Sequence, residues 1–246
     1  MNPQFGLANV WAQGDIVTRS VAVLLLLMSL ASWMVILIKM LDLLRYRKIA
    51  SKAEDFWRSP DLANGLNSLG QADDNPFRQL VEQGRDASAH HQQAQGQLSN
   101  TLDPSDWITR SLRHEIDEFT SHLQSGMAVL ASVGSTAPFV GLFGTVWGIY
   151  HALLSIGMAG QATIDQVAGP VGESLIMTAM GLAVAIPAVL GYNALVRGNK
   201  RLLHKLGRFA HDLHAYFLTG ARVHPVSPGS PARKPELTDA PAPKHA

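Results

Sequence analysis

The stretch GPVGESLIMTAMGLAVAIPAVLGYN, residues 169–193, decides the architecture. It has the length and apolar character of a membrane-crossing helix, which needs about 20 residues. Yet it carries one carboxylate, Glu173, near its start. Carboxylates inside spans are rare and cost a few kcal/mol to insert, and those that occur face a bundle interior or a water-filled cavity. Low dielectric disfavours a fixed charge. A group that can change protonation state there is suited to relaying protons. The competing reading is a carboxylate that lies near the outer interface and snorkels, or one that merely pairs with a partner.

Two further apolar runs accompany this one. Residues 17–38 (VTRSVAVLLLLMSLASWMVILI) and 127–156 each have spanning length, so an all-α protein with three transmembrane helices is expected, the third over 171–196. The first run lacks a basic flank before its core, apart from Arg19, and exceeds a signal-peptide core in length, so it is expected to be a retained anchor. Loop charges set the orientation. Residues 157–170 hold no Lys or Arg, whereas Lys39, Arg45, Arg47 and Lys48 follow the first span and Arg197, Lys200, Arg201, Lys205 and Arg208 follow the third. The positive-inside rule then places residues 1–16 and 157–170 in the periplasm and residues 39–126 and 197–222 in the cytoplasm of an inner-membrane protein.

The cytoplasmic parts read as helical extensions. Leu41 to Trp57 continues the first span, and Pro76 to Ala87 forms a second helix. Between Ser105 and Leu123, Ile108, Leu112, Ile116, Phe119 and Leu123 recur at helical spacing, with Asp103 or Ser105 as cap. Leu202, Leu206, Phe209, Leu213 and Phe217 carry the same period beyond the third span. His90 to Asn100 reads as a polar linker, and residues 223–246, rich in Pro, Ala and Ser, read as a disordered tail.

Composition excludes several functions. The net charge of +1 offers no concentrated basic face for nucleic acid, and 16% charged residues is low against about 25% in soluble domains. With no Cys, disulfides and thiolate sites are excluded. The ten His residues form no ligand constellation, so no metal site is expected. His90 and His91 read as solvated, and His151 as interfacial packing. No phosphate loop or nucleophile–base pair is present, and no catalytic residue is assigned.

Within the second span, Gly134, Ala137, Gly141, Gly144 and Gly148 recur every three or four residues and are expected to pack helices closely, as is Gly181 in the third. Thr145 either back-bonds its own helix or lines a polar lumen. Thr178 lies about 140° around the helix from Glu173 and shares a face with Ser174, Gly181 and Ala185. Pro138 and Pro187 are expected to kink their helices, as vestibule or as hinge.

The runs APFVGLFGTVWGIYHAL (residues 137–153) and GPVGESLIMTAMGLAVAIPAVLGYN (residues 169–193) resemble the signature of the MotA/TolQ/ExbB proton-channel family, most closely its ExbB branch. The resemblance spans essentially the whole chain and implies an ion-driven stator. It implies a homopentameric ring around the membrane helices of an ExbD dimer, with membrane lipids outside. It further implies TonB as the energised partner, in uptake of iron-siderophore, haem or cobalamin. No cofactor is implied beyond protons as coupling ion. By motif position Glu173 matches a pore-side glutamate, and Thr145 and Thr178 match pore-lining threonines. The Tol–Pal system, with a TolQ-like role, is the alternative. A passive membrane scaffold is an alternative of another class, which Glu173→Gln would separate, and a self-contained transporter fits less well, since three spans show no inverted repeat.

Overall fold

The computed structural model describes residues 15–70, 75–93, 103–159 and 164–220. The side chains of residues 90–93, 104, 155–156, 159, 164–170 and 173 fall outside that description. The expected disordered tail, most of the N-terminal segment and the centre of the 157–170 loop also lie outside it.

All regular structure among the described residues is helical. The helices are α1 (Ile16–Phe56), α2 (Leu62–Leu69), α3 (Pro76–Gln93), α4 (Pro104–Gln124), α5 (Met127–Ala159) and α6 (Ile164–Thr219). Three of these carry windows long and apolar enough to cross a membrane. At 1.5 Å per residue α1 is about 60 Å long and α6 about 85 Å, against a hydrocarbon core of about 30 Å. Both therefore extend far beyond the bilayer, and the short helices gather around those extensions.

The division shows in the side chains. Over residues 23–44 of α1, 129–158 of α5 and 175–196 of α6, large apolar residues such as Leu26, Met34, Val146 and Leu190 stand exposed. Such a surface is untenable in water and suits lipid or partner helices. Its interior is thin: Val21, Leu25, Val133, Ala137, Met177, Ala185 and Ala188. In the extension the pattern inverts to apolar inside. Tyr46, Phe56, Phe77, Phe119 and Phe209 form a large core with Leu80, Leu112, Leu206 and Leu213. Phe209 meets Phe56 and Phe77 edge-on, each at 5.3 Å between centroids.

Local chemistry sets the turns. The Asp61 side chain accepts from the Asn64 amide at 2.7 Å and starts α2, and Gly70, at φ 86°, ends it. Buried Asn75 donates to the Leu69 carbonyl at 2.9 Å and accepts from the Phe77 amide at 3.0 Å, which clasps α2 to α3. Asp103 caps α4, with Pro104 in its first turn. Gly126, at φ 78°, breaks α4 from α5. Lys39 donates to the His122 carbonyl at 3.0 Å, which satisfies an acceptor at the end of α4.

Three differences from the sequence reading stand out. Helix α3 runs to Gln93, past the expected start of the polar linker at His90, because His and Gln are tolerable helix formers and no Gly or Pro intervenes. Helix α2 was not anticipated; its Gly65 is needed where a Cβ would lie 2.7 Å from the Phe56 ring. Helix α5 reaches Ala159 and α6 begins at Ile164, so the 157–170 connection is mostly helical. Hydropathy marks where a span leaves the apolar phase, not where its helix ends. Both α5 and α6 continue through Pro138 and Pro187.

Candidate functional site

Helices α5 and α6 pack along the stripe of small residues. A Cβ on Gly141 would lie 2.6 Å from the Met177 carbonyl, and one on Gly181 2.6 Å from the Ala137 carbonyl. The two backbones approach too closely for any side chain at either position. Gly134 faces Val189, Gly148 faces the Ser174 hydroxyl, and Ala137 is fully buried. Gly144 serves a different neighbour as well: its would-be Cβ meets Val21 of α1 at 3.0 Å and Met177 at 3.2 Å.

This closeness brings two hydroxyls together. Thr145, 6% exposed, hydrogen-bonds Thr178 across the α5–α6 seam. The Thr145 oxygen also lies 3.1 Å from the Gly141 carbonyl of its own helix and 3.1 Å from the Ser174 carbonyl of α6. A hydroxyl has one proton. With Thr178 donating to Thr145, the single Thr145 proton goes to one of the two carbonyls or is shared between them. Thr145 thus back-bonds its own helix and also reaches across to the next one. Within the single chain it is buried in the seam rather than open to a lumen. Glu173 occupies the position before Ser174 in α6, and its side chain lies outside the described residues. With the buried Ser174 hydroxyl beside Gly148, the pair makes a small group of hydroxyls in the seam.

A second polar cluster escaped the sequence reading. Asp15 caps α1 through the Thr18 amide at 2.9 Å, and its other oxygen accepts from the Trp147 indole N–H at 2.7 Å. His151, one turn beyond Trp147, lies 3.9 Å from that oxygen and packs its ring on the indole at 4.6 Å. Burial pushes the Asp15 carboxyl up. The hydrogen bonds from Thr18 and Trp147, with the nearby His151, outweigh that and hold it below the ordinary carboxylate value. His151 was read as interfacial packing in preference to a relay role. Asp15 as a helix cap was legible; its partner on α5 was not.

No group of three or more His, Cys, Asp or Glu able to hold a metal occurs among the described residues.

Comparison with known proteins agrees with this architecture. Residues 73–207 match the profile of the MotA/TolQ/ExbB proton channel family. The chain is 45% identical over 208 residues to the "Biopolymer transport protein ExbB" of Xanthomonas campestris pv. campestris strain B100, covering 82% of each. It is 40% identical over 210 residues to the protein of that name from Neisseria meningitidis strain Z2491, covering 85% of this chain and 96% of the relative. To the "Tol-Pal system protein TolQ" of Pseudomonas aeruginosa it is 32% identical over 217 residues, covering 84% and 91%.

Proposed function

Because the chain belongs to the MotA/TolQ/ExbB proton channel family, we propose that it is the proton-conducting stator subunit of an ExbB-type complex. In this reading it is a multi-pass protein of the bacterial inner membrane, with a periplasmic N-terminus and a cytoplasmic C-terminus. It forms a homopentamer around ExbD transmembrane helices and uses the proton-motive force to energise TonB. TonB then drives uptake of iron-siderophore, haem or cobalamin across the outer membrane. The coupling ion is the proton, and no bond-making chemistry is assigned.

The observation that carries the reading is the Thr145–Thr178 hydroxyl pair in the α5–α6 seam, beside the helix position of Glu173. Hydroxyls both donate and accept, so they can pass a proton that a carboxyl takes up. Exposed apolar side chains along α5 and α6 support assembly with further copies. Each charge crossing 100 mV releases about 2.3 kcal/mol, so several protons per mechanical cycle are expected. The higher identity to the ExbB relatives favours this reading over a TolQ-like role in the Tol–Pal system.

Glu173→Gln tests it. The variant should assemble as the parent does and should abolish growth on siderophore or haem iron. Normal iron uptake by the variant would show that Glu173 relays no protons. Detergent sensitivity with intact iron uptake, after deletion of the chain, would transfer the protein to the TolQ role.

A further inference from the structure

Helices α1 and α5 touch where Val21 meets Gly144, and beside that contact they leave an apolar groove of about 480 Å³. Its walls are Val17, Val21 and Leu24 of α1 and Phe139, Val140 and Phe143 of α5. Two hydroxyls border it, and both are spent within their own helices. Ser20 donates to the Ile16 carbonyl and Thr136 to the Ser132 carbonyl, each at 2.7 Å. On the other side of Ser20 and Leu24 a shallower depression continues the apolar surface and reaches Arg19. From Ile16 to Leu24 the helix rises about 12 Å, close to the depth of one hydrocarbon leaflet at about 15 Å.

We propose that this groove holds one acyl chain of a phospholipid whose anionic headgroup lies against Arg19. Helix–helix contacts in membranes rely on small residues and on polar groups that bond across the seam. The two hydroxyls at this face, Ser20 and Thr136, already donate within their own helices. Its accessible walls are Phe139, Phe143 and Leu24, exposed to 70%, 53% and 46%. Its small residue, Gly144, is already taken by α1 and α6. At the end of the helix beside it stands the cation Arg19, one turn from Asp15, whose carboxylate is turned to Thr18 and Trp147. A guanidinium has five donors, so Arg19 can serve a phosphate together with a neighbour within the chain. An amphiphile with an apolar tail and a phosphate head matches both halves of the site. Seated there, the lipid would brace α1 against α5 next to the Asp15–Trp147 bond.

The test uses the full chain in vesicles of phosphatidylcholine containing a minor fraction of phosphatidylglycerol with a diazirine on its acyl chain. After photolysis, adducts are mapped by peptide mass spectrometry. They are expected on residues 17–24 of α1 and 136–143 of α5, in excess over equally exposed residues such as Leu182 and Leu190 of α6. Ser20→Phe, which fills the groove from an exposed position, should remove that excess. Arg19→Gln should keep the fold and lower the preference for phosphatidylglycerol over a phosphatidylcholine analogue about fivefold, as expected for one basic side chain near a membrane surface. Adducts spread evenly over all exposed apolar positions would overturn the proposal. So would efficient disulfide cross-linking between copies of a Phe139→Cys variant, which would put a second chain in the groove.

Discussion

The Trp147 indole donates to the Asp15 carboxylate at 2.7 Å, across 132 residues of sequence. One side chain therefore both caps α1 and ties its first turn to α5. The bond lies at the end of the bundle where α5 ends and α6 begins, and His151 of α5 approaches the same carboxylate oxygen to 3.9 Å.

Trp147→Phe keeps an aromatic ring against His151 and deletes the N–H. The Asp15 side chain is 37% exposed, so water compensates part of the loss. A destabilisation of about 1 kcal/mol is expected, read as a lower apparent melting temperature of the solubilised protein. Asp15→Ala should cost more, since it removes the cap as well.

Acidity should act on two carboxylates in opposite directions. Asp15 is held low in the folded state, so its contribution is present above the unfolded value near 3.9 and is lost as pH falls through the lower folded value. The stability gap between the parent and Asp15→Ala should therefore narrow in strong acid. Glu115 of α4 is pushed up, by burial first and then by the Glu118 charge, against a smaller opposing effect of His114. Its protonated form is the better folded one. Favourable below the unfolded value, its contribution is lost as pH rises through the folded value. Glu115→Gln should thus raise the melting temperature at neutral pH, with the gain vanishing below about pH 4. A gain that persists there would refute the assignment.

Glycine replacements should separate by contact. Gly141→Ala and Gly181→Ala each drive a methyl into a backbone carbonyl and should cost about 1–3 kcal/mol by forcing α5 and α6 apart. Gly207→Ala, with nothing within 4 Å of the new methyl, should be neutral or stabilising by up to about 1 kcal/mol. Thermal denaturation of the three variants side by side distinguishes the seam from ordinary helix.

Thr178→Val preserves shape and removes the hydroxyl that meets Thr145. Thr145 keeps carbonyl acceptors within reach, so stability should change by no more than about 1 kcal/mol. Proton flux through the reconstituted complex should fall several-fold. Unchanged flux would reduce the pair to packing.

Much of the site was visible residue by residue, and less of it as a geometry. Glu173 stands out because a carboxylate in an apolar run is costly wherever the chain folds. The Gly134–Gly148 stripe stands out because its spacing matches the helical period. That Thr145 meets Thr178, rather than only its own Gly141 carbonyl, depends on the approach that Gly141 and Gly181 together permit. Neither helix contains that information alone. The Asp15–Trp147–His151 cluster was hidden for the same reason: two of its members sit on α5 and the third is a helix cap far away in the chain.

The amino-acid sequence by itself determined that this protein is helical, that three of its runs are long and apolar enough to cross a membrane, and where the carboxylate Glu173 falls in the third. Those properties are local: hydropathy, helical period and capping act within a few turns. Only the tertiary structure decided which helix faces meet, that a hydroxyl pair forms in the α5–α6 seam, and that α1 and α5 part to leave an apolar groove. Those outcomes are set by close packing between segments distant in the chain, where the lack of a side chain at Gly141, Gly144 or Gly181 brings neighbouring groups within reach.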